Sequence, residues 1–371
     1  MKKKLLAVAA FALSLNSYAA DDSAWMRYPA LSPDGSLIAF SFKGDIFTVP
    51  ANGGRALQIT THPSHDTRPV WSPDGKILAF ASDRMGSMDI YVVDKEGGTP
   101  KRLTTHSGNE TPITFKDNGH LLFQANILPS TEDMQFASGQ FPQVYEVSTS
   151  GGRPIMFSSM PMEDISISAD GKTLYFCAAT PRTIATEFEQ IRYNLCSVDF
   201  DPATGTIGSK VDTVVFAEGM GKSATFPRPS YDGRFLVYNI ADYGNFPLYH
   251  KEADLWILDL ETGESRPMSK ANSDGTESHH SWSSNSRWMM FSSRRDDGLY
   301  SRPYFTHIDE NGQESKAFML PQKHPLHYYS YQNRSHNVPE FVTGPVDMDG
   351  ISAEKMVTSK EKIQFGFRMS D

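Results

Sequence analysis

Residues 71–84 decide the fold, and their sequence is WSPDGKILAFASDR. Asp74-Gly75 supplies the positive φ that a tight hairpin turn needs, and the apolar run at residues 77–80 has the β-branched and aromatic content that strands favour. Residues 32–40, SPDGSLIAF, repeat the same turn and the same run. The motif therefore predicts a strand, a tight turn and a second strand, and its recurrence indicates a repeat protein.

Two kinds of turn recur in the same order along the chain. Weaker copies of the first turn precede four further apolar runs, at Asn118-Gly119, Asp170-Gly171, Asp232-Gly233 and Asn285-Ser286. A second turn of the type x-Gly follows each unit, at Gly53, Gly97, Gly151, Gly205, Gly263 and Gly312. One four-stranded unit cannot bury both of its faces, whereas six units packed around an axis can. We therefore predict an all-β chain folded as a six-bladed β-propeller of four-stranded antiparallel blades.

Residues 71–84, with DIYV at residues 89–92, resemble the WD40-like PD40 repeat. That repeat occurs in TolB-like propellers and in the N-terminal propeller of tricorn-like proteases. TolB carries an α/β domain before its propeller and tricorn-like proteases carry a catalytic region after theirs, and we expect neither of them in this sequence. The resemblance implies a propeller without a protease domain, which makes protein–protein contacts in the bacterial cell envelope.

The N-terminus of the chain predicts export. Lys2, Lys3 and Lys4 precede an apolar run at residues 5–15, which is too short to span a bilayer, and a small-x-small cleavage site ends at Ala19. We expect a signal peptide at residues 1–19, a propeller at residues 20–321 and a C-terminal extension at residues 322–371 that packs on the propeller. The predicted localisation is the periplasm, with no membrane span.

Charge and cysteine content limit the partners. The formal net charge is −9 at pH 7, and an acidic surface repels phosphate backbones, so we expect no nucleic-acid partner. The two cysteines, Cys177 and Cys196, fall on strands that we place side by side in one blade. Export permits a disulfide between them, while two small buried apolar residues are the alternative. A monomer is the working expectation, although the sequence leaves the oligomeric state open.

The long connections predict where a ligand binds. In a four-stranded meander the first and third turns lie at one end, and here they are short. The second turns and the links between blades lie at the other end, which we call the loop-rich face. Long loops on a rigid scaffold are where binding usually occurs. The unusual residues predicted on this face are His62, His65, Asp66, His106, Glu110, Tyr243, Phe246, His250, Glu277, His279 and His280.

Two functional hypotheses follow from these residues. The first is an exported, non-catalytic platform that binds an envelope protein through the loop-rich face, without a cofactor and without catalytic residues. It is favoured because the sequence contains neither a Gly-x-Ser-x-Gly nor a His-Glu-x-x-His motif. The alternative is a metal-dependent polysaccharide lyase-type enzyme, whose metal candidates at the axial mouth are His62, His106, His279 and His280.

Arginines near the ends of two second strands are expected to have a structural role. Asp83-Arg84 lies at the end of the second strand of blade two, and Arg294-Arg295-Asp296 lies at the corresponding place in blade six. We expect each to pair with the acidic residue that begins the third strand of its blade, which is Asp89 in the second blade.

Overall fold

A computed structural model describes residues 26–126, 142–158, 160–180, 187–322 and 334–342. Within these ranges 24 strands form six sheets of four, and every sheet is an antiparallel meander. This architecture confirms the predicted six-bladed propeller. The signal-peptide prediction, at residues 1–19, and most of the predicted extension lie outside the described residues. The described residues include no helix with the length and apolar content to cross a membrane.

The blades follow one another along the chain. Blade one contains β1 (Arg27–Leu31), β2 (Leu37–Phe42), β3 (Asp45–Pro50) and β4 (Leu57–Gln58). Blade two contains β5 (Asp66–Trp71), β6 (Ile77–Ser82), β7 (Asp89–Asp94) and β8 (Lys101–Arg102). Blade three contains β9 (Glu110–Asp117), β10 (His120–Ala125), β11 (Gln143–Ser148) and β12 (Ile155–Ser158). Blade four contains β13 (Glu163–Ile167), β14 (Thr173–Thr180), β15 (Arg192–Asp201) and β16 (Thr206–Val215). Blade five contains β17 (Ser223–Pro229), β18 (Phe235–Ala241), β19 (Asp254–Asp259) and β20 (Ser265–Pro267). Blade six contains β21 (Glu277–Trp282), β22 (Trp288–Ser293), β23 (Arg302–His307) and β24 (Phe318–Met319).

In blades one, two, four and five the first turn is stabilised by a serine that precedes the Asp-Gly. In blade two the Ser72 hydroxyl donates to the Asp74 carboxylate over 2.8 Å and accepts the backbone N–H of Ile77 over 3.0 Å. Gly75 has a φ of 66°, as the turn requires. Blade six keeps the same geometry without glycine, because Ser286 adopts a φ of 56° at the equivalent position.

Successive blades pack through alternate residues of their strands. In β6, Leu78 and Phe80 are buried against blade one, whereas Ala79 is buried against blade three. The first strands lie innermost, since β1 contacts β5, β5 contacts β9, and β17 contacts both β13 and β21. An aromatic pair joins the second and third strands in several blades, as Phe80 and Tyr91 do with ring centroids 5.9 Å apart. These pairs form the repeated core that the apolar runs of the sequence predict.

Within the described residues neither cysteine forms a disulfide, and both are buried. In the pairing of β14 with β15, Cys177 lies opposite Leu195 while Cys196 lies opposite Phe176. Residues one position apart along a strand point to opposite faces of the sheet, and the two thiols accordingly belong to different hydrophobic clusters. Of the two alternatives that the sequence left open, the structure shows a pair of small buried residues.

The described part of the C-terminal extension, residues 334–342, lies against blade six. The Ser292 hydroxyl donates to the carbonyl oxygens of His336 and Asn337, both over 2.7 Å, and the Ser281 hydroxyl donates to that of Pro339 over 2.8 Å. The Phe341 ring lies 5.9 Å from the Phe305 ring. Phe305 follows Tyr304, which packs toward blade five. The segment therefore covers the face of blade six that points away from blade five.

Candidate functional site

The second loops and the blade links meet at one end of the propeller. The backbone N–H of Asp66, which opens β5, donates to the Gly44 carbonyl in the second loop of blade one over 2.7 Å. Glu110 and Glu277 make the same bond to Met88 and Ala253, each over 2.8 Å. The inner strands of blades two, three and six therefore begin beside the second loop of the preceding blade, and this shared end is the loop-rich face.

An acidic residue opens the inner strand in four blades, and each of these side chains is buried: Asp66, Glu110, Glu163 and Glu277. The Arg84 guanidinium contacts the Asp66 carboxylate at 2.6 Å, and Arg295 contacts Glu277 at 3.0 Å. The expected pairing with an acidic residue that opens the third strand was wrong for both Arg84 and Arg295. Asp89, the expected partner of Arg84, pairs with Arg102 instead, at 2.7 Å, and Glu277 opens the first strand of blade six. Both ion pairs connect a second loop to the start of an inner strand. Asp66 and Glu277 are therefore buried below the loop-rich face and hold its second loops in position.

Burial also shifts the acidity of these carboxyl groups. Desolvation raises the pKa of Glu110 to about 7, against the hydrogen bond from the Thr104 hydroxyl that lowers it. Desolvation likewise raises the pKa of Glu163 to about 7, and the neighbouring Asp164 carboxylate raises it further. Glu163 accepts hydrogen bonds from the Tyr193 hydroxyl, over 2.9 Å, and from the Asn245 amide.

The Glu110→Gln variant is expected to weaken the pH dependence of stability. The folded-state pKa, about 7, exceeds the ordinary 4.5, so the folded protein binds the proton more tightly and loses stability as pH rises through that interval. The loss for this group is up to about 3 kcal/mol. The free energy of unfolding, measured with urea at several pH values, should fall less steeply for this variant than for wild type. Glu96→Gln, at an exposed position, is the control; equal slopes for all three proteins would contradict the prediction.

The predicted histidines have different surroundings. His62 and His65 are exposed in the link between blades one and two, and the His62 Nδ1 lies 2.8 Å from the Ser64 hydroxyl. The His106 Nδ1 accepts the backbone N–H of Gly108 over 2.9 Å. His279 and His280 instead lie within β21. The structure does not bring these four metal candidates together, and its described ranges contain no group of three or more His, Cys, Asp or Glu that could hold a metal ion.

The blade-five insert, residues 242–253, brings the predicted aromatic residues together. The Tyr243 ring packs edge-on against His250 with centroids 4.4 Å apart, and the Phe246 ring lies 5.0 Å from Tyr249 and 6.4 Å from His279. His250 is buried, and its Nδ1 lies 3.0 Å from the Glu252 carboxylate. Tyr243 and His250 thus support the insert from below, while Phe246 and Tyr249 extend into solvent.

Large apolar side chains are exposed beside the insert. Between 43% and 81% of the surface of each is exposed, and we call this set of residues on the loop-rich face the apolar patch: Phe188, Phe216, Met220, Phe246 and Tyr249. Its segments are tied to one another, because Arg192 donates to the Gly221 carbonyl over 3.1 Å, Lys222 pairs with Asp242, and Phe188 packs edge-on against Tyr243. Sequence reasoning missed Phe188, Phe216 and Met220, for which the only signal was their place in long connections.

A cavity of about 580 Å³ lies beside the patch, between blades five and six. Tyr249 and Lys251 line it from the insert, and Arg294 and Arg295 line it from the second loop of blade six. Gly275 borders it where the chain has no room for a side chain, since a Cβ there would lie 3.0 Å from the Arg295 Cα. The loop-rich face therefore offers an exposed apolar patch next to a partly basic depression.

Comparisons with known proteins support the propeller repeat that the sequence predicts. Residues 23–192, just under half of the chain, match the family described as the Tricorn protease N-terminal beta propeller domain. The chain is 38% identical over 64 residues to "Tricorn protease homolog 1" of Streptomyces coelicolor, an alignment that covers 17% of this chain and 6% of that protein. The chain thus spans only a small part of that relative. The predicted resemblance to the tricorn N-terminal propeller is confirmed.

Solved structures of related shape share little sequence with this chain. A putative TolB from Agrobacterium tumefaciens is 16% identical, with a TM-score of 0.46 over 81% of this chain and 91% of that chain. TolB from Acinetobacter baumannii is 18% identical, with a TM-score of 0.44 over 80% of this chain and 64% of that chain. Oligogalacturonate lyase from Vibrio parahaemolyticus is 16% identical, with a TM-score of 0.49 over 82% of this chain and 80% of that chain.

Proposed function

We propose that this six-bladed propeller, which resembles the tricorn N-terminal propeller over its first half, is an exported, non-catalytic platform that binds a protein of the bacterial envelope through its loop-rich face. The observation that carries the proposal is the apolar patch. Exposed apolar side chains that gather on one face of a protein commonly mark a protein interface. Aromatic residues such as Phe246 and Tyr249 are enriched among those that contribute most to binding.

The patch is held in place before any partner arrives. The Asn245 amide donates to the buried Glu163 carboxylate and so ties the insert to blade four. The Thr276 hydroxyl donates to the His250 carbonyl over 2.8 Å and ties it to blade six. A surface fixed in this way loses little conformational entropy on binding, which favours affinity for a partner of complementary shape.

The partner is proposed to lie in the periplasm because the sequence begins with the features of a signal peptide. We expect N-terminal sequencing of the protein recovered from the periplasm of its bacterial host to begin at Ala20. Replacing Ala19 with Arg should block cleavage, because the peptidase accepts only small residues at this place. Recovery of the unprocessed chain from the cytoplasm alone would contradict the proposed export.

Photocrosslinking tests the proposed face directly. p-Benzoyl-phenylalanine is placed at Tyr249, which is 81% exposed on the loop-rich face, or at Tyr231, which is 62% exposed beside the first turn of blade five. Irradiation of intact cells should crosslink the Tyr249 variant to one envelope protein and leave the Tyr231 variant without that product. Equal crosslinking from both positions, or crosslinking from Tyr231 alone, would contradict the proposal.

A further inference from the structure

Blade four has an outer strand that differs from those of the other blades. β16 (Thr206–Val215) has 10 residues, whereas the outer strands of the other five blades have between 2 and 4. It ends its sheet, so its outer edge pairs with no other strand in the described part of the chain. Folded proteins usually keep such edges short or covered, because their unpaired backbone N–H and C=O groups are a template for a further strand. The edge of β16 is therefore a candidate interaction surface.

The edge of β16 is accessible and held in place. Ile207 and Val211 pack into the hydrophobic cluster that joins blades three and four, which anchors the strand on its sheet. Lys210 and Asp212 instead extend into solvent, with 80% and 60% of their side chains exposed. A strand that is anchored on one face and exposed along its edge can accept another strand without rearranging.

The centre of β16 is self-complementary. Residues 209–213 have the sequence SKVDT. An antiparallel pairing about a two-fold axis at Val211 places Lys210 of each copy opposite Asp212 of the other, and Ser209 opposite Thr213. Pairs of opposite charge and pairs of hydroxyl side chains directly across two antiparallel strands are stabilising. The pattern thus matches a second copy of the same strand.

The charges also select this register. An axis at Lys210 would place the two lysines opposite each other, and an axis at Asp212 would do the same for the two aspartates. Parallel pairing in register would produce both of these contacts, and like charges directly opposite are destabilising. The axis at Val211 is therefore the alignment that the charges favour.

The four charged groups of the two copies would lie on one face of the joined sheet. Within one chain the Lys210 Nζ is 2.7 Å from the Asp212 carboxylate, as expected for side chains two residues apart on a strand. Such an exposed pair contributes little stability alone. Across the axis each ammonium would lie between two carboxylates, and a network of several charges is worth more than an isolated pair.

Two β-bulges limit the length of the pairing. Residues 208–210 lie opposite Asp199 alone, and Val214 is an extra residue between Thr213 and Val215. Bulges bend and twist an edge strand and interrupt regular pairing. The contact is thereby confined to a short stretch around Val211. Such a small interface is typical of weak, reversible association.

We propose that β16 pairs antiparallel with β16 of a second copy, about a two-fold axis at Val211, and so forms a reversible homodimer. The two blades then share one continuous sheet of eight strands, four from each copy. The contact runs along the side of the propeller and leaves the loop-rich face open on each copy. The inference is therefore independent of the proposed protein partner, and the dimer presents two binding faces.

Sedimentation equilibrium of the mature protein tests the proposal. Wild type should show a monomer–dimer equilibrium with a dissociation constant between about 1 µM and 1 mM, as expected for a small interface. Asp212→Lys puts two lysines on each edge, and Lys210→Asp puts two aspartates there. Each variant alone should associate about tenfold more weakly or less, because like charges then lie opposite. An equimolar mixture of the two should associate as wild type does, because every lysine again lies opposite an aspartate.

The control is a charge reversal in the third turn of blade two, Lys95→Glu or Glu96→Lys, where both side chains are exposed. Both control variants should dimerise as wild type does, and thermal unfolding verifies that each variant is folded. The proposal is overturned if wild type remains monomeric up to about 300 µM, a concentration that detects even weak association. It is equally overturned if both β16 variants dimerise as wild type does, or if their mixture associates no better than either alone.

Discussion

Replacing Arg84 with alanine is expected to lower the free energy of unfolding by about 3–5 kcal/mol, because it leaves a buried carboxylate without its partner. The Asp66 side chain is completely buried, and Arg84 contacts it at 2.6 Å. Arg84 also donates to the Ser82 hydroxyl over 3.0 Å and lies over the Phe80 and Tyr91 rings. Urea unfolding at pH 7 measures the effect.

The double variant Arg84→Ala, Asp66→Asn distinguishes the buried charge from lost packing. It should recover part of the loss, because the amide removes the unpaired negative charge and leaves only the missing side chain. Lys76→Ala is the surface control, since Lys76 is 73% exposed beside Asp74, and should change stability by less than about 1 kcal/mol. A loss below about 1 kcal/mol for Arg84→Ala would show that the pair does not fix the loop-rich face.

Phe246→Ala and Tyr249→Ala are each expected to weaken binding of the crosslinked partner by at least tenfold, and both together by about a hundredfold. Truncating a central aromatic side chain of an interface commonly costs about 2 kcal/mol. Both residues are exposed in the free protein, so their loss should leave stability nearly unchanged. Titration of the purified partner by surface plasmon resonance measures the dissociation constants.

Tyr231→Ala is the matched control, because it removes an exposed tyrosine from the opposite end of the propeller. It should bind the partner as wild type does. If all three single variants bind equally well, the apolar patch is not the interface. If Tyr231→Ala alone binds weakly, the interface lies at the first-turn end.

The propeller could be predicted from its turns because their chemistry is local. The Ser-Pro-Asp-Gly motif fixes a tight turn by its own side chains, and the apolar runs beside it alternate between two neighbouring blades. Even the sixth blade, whose turn lacks glycine, keeps the repeat, because Ser286 accepts the left-handed conformation. Local patterns of this kind survive weak sequence similarity.

The partner of Arg84 could not be predicted, since strand order alone leaves two carboxylates near the end of the second strand. Ser82 of β6 lies opposite both Asp66 and Asp89, on the two neighbouring strands. Arg102 forms an ion pair with Asp89, and Asp66 therefore remains as the partner of Arg84. The packing of the side chains, and not their spacing in the sequence, determines which carboxylate pairs with Arg84.

The loop-rich face as a binding surface stays a prediction, and the structure brings together only part of its predicted residues. Tyr243, Phe246 and His250 lie together in one insert. His279 and His280 instead belong to β21, at a β-bulge that no sequence pattern indicates. His279 has a φ of 46°, and Arg68, Asp164 and Phe226 have similar values in other inner strands. This conformation is costly for residues other than glycine, so composition predicts against it.

Hydrogen–deuterium exchange of the mature protein, with and without the crosslinked partner, tests the central claim most directly. We predict that the partner protects residues 216–222 and 242–253 of the loop-rich face, while the first turns at residues 33–36, 73–76 and 231–234 exchange unchanged. Protection confined to those first turns, with residues 242–253 unaffected, would contradict the claim that this face is the binding surface.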